Sequence, residues 1–90
     1  MMKHIVKRRG HTEAFDEHKV YASVYAACLS VREPEGSAEL VADKVTQDVT
    51  NWLQKKHEVT SHDIRVVAEK HLKAYHEDAA YMYMHHRVMW

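Results

Sequence analysis

The sequence predicts an α+β fold that is mostly helical, a small N-terminal β-hairpin followed by four helices, and three observations lead there. The 90 residues include only two glycines and one proline, too few for the many turns of a sheet-rich fold. Alanine, glutamate, lysine and leucine are plentiful, and these residues give up little freedom in a helix. Beyond Asp16, apolar residues recur at intervals of three and four, the period of helices with one buried face. A chain this long holds one domain with one modest core, so residues 1–90 are read as a single unit with one main site.

The elements follow in order. Ile5 and Val6 stand among basic neighbours in His4 to Arg9, and after Gly10 the stretch His11 to Phe15 is extended too, which gives the hairpin. Asp16 occupies an N-cap position, and Val20, Val24, Ala27, Cys28 and Val31 mark the inner face of a first helix from Glu17 to Val31. Arg32 to Gly36, with Pro34, reads as a loop, and Ser37 as the cap of a second helix from Ala38 to about Lys55. Its stripe is Leu40, Val41, Val45, Val49, Trp52 and Leu53. Lys55, Lys56 and His57 close it with positive charge that complements the helix dipole. Glu58 to Thr60 is a link that can add an edge strand. Ser61 then opens a third helix with Asp63 in its first turn and Ile64, Val67, Ala68, His71, Leu72 and Tyr75 on its inner face. The chain turns at His76 to Asp78, and Ala79, Ala80, Tyr83, Met84 and His86 or Arg87 line a fourth helix.

Composition removes several function classes. Thirteen Lys and Arg balance thirteen Asp and Glu, so no general field for polyanions exists and an anion must be caught locally. The only cysteine, Cys28, fits a buried apolar position and a reducing, cytoplasmic setting. No apolar run approaches the roughly 20 residues of a membrane span, so no membrane partner is expected. The nine histidines show no HExxH spacing, His85 and His86 point to different helix sides, and no metal site is assigned. No serine stands on a strand-turn-helix elbow, so nothing supports catalysis. The run Tyr81 to Met84 spreads around its helix, with one side for the core and the other for a partner or an oligomer.

One cluster asks for a ligand. Lys7, Arg8 and Arg9 precede a helix whose first turn presents backbone N–H groups, and Lys19 sits one turn inside it. By default they are a solvated hairpin. Converging on one point, they would make a phosphate site, with arginine offering a planar fork and lysine a point charge.

The order of residues in IVKRRGHTEAFDEHKV resembles the opening of the ATP-cone domain, the regulatory nucleotide-binding module of many ribonucleotide reductases and of the repressor of their operons. The resemblance continues through VADKVTQDV and VTSHDIRVVAEKHL to AAYMYMHHR, which is similar to the family's Ala-x-x-Tyr-x-x-Tyr-Arg ending with His86 in place of the second tyrosine. Arg9 stands where the family usually has aspartate before the turn glycine, and the chain ends in Val88, Met89 and Trp90 where many members carry further basic residues.

The resemblance implies a hairpin or three-stranded antiparallel sheet capping a four-helix bundle, with ATP or dATP bound between sheet and helix tops, accompanied by Mg2+. Carried over by position, Lys7 and Arg8 hold phosphates; Ile5, Glu13, Phe15 and Asp16 surround base and sugar; Lys19 contacts sugar or phosphate. Ser61 and Arg65 fall at polar nucleotide contacts, and His86 is a further candidate. The expected protein is a non-enzymatic allosteric module that changes oligomeric state, or its contact with a ribonucleotide reductase or a transcriptional regulator, according to the nucleotide bound. The alternative is a nucleic-acid-binding module using the basic hairpin. A free-standing cone and a piece of a longer protein both fit the sequence.

Overall fold

The structure is a computed structural model and describes residues 4–6, 12–56 and 58–85, with the strands at 4–6 and 12–14 followed through their backbone. Strands β1 (His4–Val6) and β2 (Thr12–Ala14) lead into helices α1 (Glu17–Ser30) and α2 (Glu35–Gln54); strand β3 (Val59–Thr60) then precedes α3 (Ser61–Tyr75) and α4 (Glu77–His85). β1 lies between the other two strands. It pairs antiparallel with β2 and parallel with β3.

The sheet is therefore mixed, which corrects the antiparallel three-stranded alternative. The connection explains the difference: α1 carries the chain away from β2 and α2 brings it back, a long crossover of the kind that parallel pairing requires. The residues between β1 and β2, Lys7 to His11, lie outside the described residues, as does the Arg9–Gly10 turn expected there.

Each helix boundary has a local cause. Asp16 caps α1 as its position suggests, Oδ1 accepting the N–H of His18 at 2.9 Å. At the other end, the N–H of Arg32 donates to Leu29 O at 3.0 Å and that of Glu33 to Cys28 O at 3.1 Å. This pair of bonds is the Schellman closure, which needs a left-handed residue. Arg32 supplies it with φ of 64°.

α2 begins three residues before the expected Ala38, because Pro34 stands at its N-cap with φ of −57° and its carbonyl already accepts the N–H of Ala38 at 2.8 Å. Ser37 is inside the helix and donates its hydroxyl to the Glu33 carboxylate instead of capping. α3 opens at Ser61 as expected, and Thr60 caps it. Thr60 Oγ1 accepts from Asp63 N while Asp63 Oδ2 accepts from Thr60 N, both at 3.0 Å, a reciprocal capping box.

The four helices close a ring of contacts, α1 on α2, α2 on α3, α3 on α4 and α4 on α1. Val20, Val24 and Cys28 of α1, Val45 and Val49 of α2, Ile64 and Leu72 of α3, and Ala79 and Tyr83 of α4 fill the centre. Leu40 is 64 % exposed, and Tyr75 also faces outward. The inner face of α2 runs through Ala38, Ala42, Val45, Val49 and Leu53, which places Leu40, two residues from either alanine, on the opposite side. Tyr75 donates its hydroxyl to Asp48 Oδ2 at 3.2 Å and so ties α3 to α2 at the surface. Cys28 is buried as expected, and burial, followed by the Glu33 carboxylate, pushes its thiol up to about 11. Such a thiol is inert.

Candidate functional site

The sheet end of the bundle is where the sequence places a ligand, and the backbone register shows what gathers there. Ile5 is the Cα partner of both Glu13 and Val59, so these three residues form one row across the sheet. Val6 is paired with Thr60, the N-cap of α3. Lys7 and Arg8 follow Val6 in the chain, and they and His86 lie outside the described residues.

Two helices start from strands flanking β1. Only Phe15 and Asp16 separate β2 from α1, and no residue separates β3 from α3. Both helix N-termini, the positive ends of their dipoles, thus rise from one small sheet. Phe15 is half-buried and packs against the core cluster. Asp16 uses one carboxylate oxygen to cap α1, and its carbonyl accepts the N–H of Lys19 at 3.1 Å. Lys19 is exposed in the first turn of α1.

Ser61 and Arg65 stand one turn apart on α3 and so share a side of it; both are half-buried. Arg65 Nε is buried with no hydrogen-bond acceptor among the described residues. A buried donor left so costs about 1–3 kcal/mol, which a ligand oxygen would recover. Thr60 and Asp63, which fix where α3 begins and hence where Ser61 and Arg65 point, were not among the candidate residues. The Thr-x-x-Asp spacing was their signal.

Two grooves among the described residues are acidic. One of about 620 Å³ separates α1 from α2, and the described residues that line it include Glu17, Asp43 and Gln47 but no lysine or arginine. One of about 370 Å³ between α3 and α4 sets Glu69 and Glu77 against Lys73. A polyphosphate entering either would meet carboxylates without matching cations, so neither suits an anion. Among the described residues no three His, Cys, Asp or Glu side chains gather to hold a metal ion. No helix there is long and apolar enough to cross a membrane.

Among curated proteins, none matches the sequence. A family model described as the ATP cone domain matches residues 3–90, nearly the full length, including both strands that frame the row through Ile5 and every helix of the bundle. The chain belongs to the ATP-cone family, whose domains are regulatory modules that bind adenine nucleotides.

Proposed function

We propose that residues 1–90 act as one allosteric domain that binds ATP or dATP at the sheet end and couples its occupancy to self-association or to a partner such as a ribonucleotide reductase or a transcriptional regulator. The observation that carries the reading is the meeting of β1 with the start of α3, where Arg65 holds a buried Nε without an acceptor among the described residues. Lys7 and Arg8 hold the phosphates, and Ile5, Glu13, Phe15 and Asp16 surround the base and sugar. Lys19 reaches sugar or phosphate, Ser61 and Arg65 supply polar contacts from α3, and His86 closes the site from the chain's end.

The charges support this division. A triphosphate carries about four negative charges and calls for several cations fixed around it. Lys7, Arg8, Lys19 and Arg65 supply them, and Mg2+ arrives with the nucleotide, held by its phosphates. The protein's own contribution is binding and orientation, with no chemical step. Regulation follows from linkage: the nucleotide shifts an assembly equilibrium only by its differential affinity for the two states. A cytoplasmic setting suits such a ligand.

Calorimetric titration of ATP and dATP into the wild type, a Lys7→Ala/Arg8→Ala variant and an Arg65→Ala variant tests the reading. Affinity should fall at least tenfold in both variants. Equal heats from all three proteins would sink the site, and a size distribution unmoved by either nucleotide would sink the coupling to self-association.

A further inference from the structure

The groove between α1 and α2 has a chemistry that a nucleotide site does not use. Tyr21 and Tyr25 stack along α1 with ring centroids 6.2 Å apart and planes 13° from parallel. Across from them α2 carries Glu35, Glu39 and Asp43, four residues apart and so on one face, and all three are exposed. Glu17 joins them from the first turn of α1, and Glu17, Tyr21 and Asp43 line the cavity of about 620 Å³. Partial burial, then the carboxylates of Glu35 and Glu39, raise the Tyr25 phenol above its ordinary value. The described residues lining the cavity include no lysine or arginine. Four like charges along an aromatic wall repel one another in the free protein, and a cationic occupant removes that cost.

We propose that this groove, together with the strip of Tyr25, Glu35 and Glu39 that continues from Tyr21 and Asp43 outside the cavity, docks an extended segment of a partner protein with arginine at every second position. Two properties of the groove select that partner over a generic polycation. Guanidinium is planar, stacks on tyrosine faces and forks onto carboxylates, whereas an ammonium offers a point charge. The carboxylates of α2 also repeat every four helical residues, about 6.0 Å along the axis. Alternate side chains of an extended peptide repeat every 6.4–6.8 Å or so. Over three positions the two spacings drift by only about 1–2 Å, within the reach of arginine's flexible stem. Successive guanidinium groups therefore meet Glu35, Glu39 and Asp43 in turn, with the tyrosine pair beneath them. The inference does not rest on nucleotide binding, and the surface it uses is separate from Ser61 and Arg65.

Fluorescence anisotropy with three labelled heptapeptides of equal charge tests it: Ala-Arg-Ala-Arg-Ala-Arg-Ala, the same peptide with lysine for arginine, and Arg-Arg-Arg-Ala-Ala-Ala-Ala. The alternating arginine peptide should bind at least fivefold tighter than either of the others. It should weaken at least tenfold on a Glu39→Gln/Asp43→Asn variant, whose positions are exposed and carry no core load. A Glu58→Gln/Asp78→Asn variant, which removes two carboxylates elsewhere, should leave it within twofold. Tyr21→Leu should erase the preference for arginine over lysine. Equal affinity of the three peptides for the wild type would overturn the proposal, as would an equal loss in the Glu58→Gln/Asp78→Asn variant. Self-association of the protein abolished by Glu39→Gln/Asp43→Asn would assign the groove to a second copy and also overturn it.

Discussion

His76 Nε2 lies 3.1 Å from Glu33 Oε2, and the Nδ1 atom of the same ring accepts the N–H of Ala79 at 3.2 Å. A neutral imidazole with its proton on Nε2 satisfies both contacts at once. One side chain thus ties the α1–α2 loop to the start of α4, at the end of the bundle away from the sheet. His76→Ala should remove the tie and the cap together and lower stability by about 1–2 kcal/mol. His76→Asn restores a capping oxygen and should recover about half of that loss. Urea unfolding of the three proteins at pH 7 measures it, and an alanine variant as stable as the wild type would refute the linkage.

Arg32 and Gly36 suit each other's positions better than their own. Arg32 holds φ of 64° at the end of α1, a conformation that costs a residue with a Cβ about 1–2 kcal/mol. Gly36 sits in the first turn of α2, and a Cβ added there meets nothing within 4 Å. Arg32→Gly should therefore stabilise by about 1 kcal/mol, and Gly36→Ala by about 0.5–1 kcal/mol. The two sites share no described hydrogen bond, so the gains should add in thermal melts of the double variant.

Thr60→Ala breaks the capping box at the start of α3 and should cost about 1 kcal/mol. Since Thr60 pairs with Val6 in the sheet, the same change should loosen the position from which Ser61 and Arg65 act. Hydrogen exchange of the Asp63 amide should quicken in the variant. Unchanged protection would show that the reciprocal bonds carry no weight.

Alkaline pH should weaken the fold through Cys28. Its folded-state value, about 11, stands above the ordinary thiol value of 9.0, so between these values the folded protein binds more protons than the unfolded one. Stability then falls as pH rises. The contribution is complete below pH 9 and lost through pH 11. The phenols of Tyr25 and Tyr75 are raised as well, each first by partial burial and then by nearby carboxylates, and they act in the same direction. Cys28→Ala isolates the thiol: its melting temperature should decline less between pH 8.5 and 11 than that of the wild type. Parallel curves would remove Cys28 from the account.

The helices were legible because burial follows their period. Val20, Val24 and Cys28, or Ile64, Ala68 and Leu72, could be counted directly. Caps were less legible, because Ser37 has the right chemistry for an N-cap while Pro34, three residues earlier, has the right backbone. Leu40 misled because one apolar residue cannot reveal which of two faces a neighbouring helix covers. The parallel pairing of β1 with β3 was hidden too, since two residues carry no directional signal. At the candidate site, Ser61 and Arg65 could be named from the resemblance, but the lack of an acceptor for Arg65 Nε among the described residues depends on packing that no local pattern encodes.

The direct passage from β3 into α3 gives the sheet a lever. Thr60 and Ser61 adjoin with no residue between them to act as a hinge, so a tilt of the strand is a tilt of the helix. The 15 residues of α3 make an arm of about 22 Å. At that length a five-degree rotation at the sheet would carry Tyr75 by about 2 Å, more than its 3.2 Å contact with Asp48 can absorb. A ligand that only nudges the strands would thus be felt at the opposite pole of the molecule, where α4 sets out.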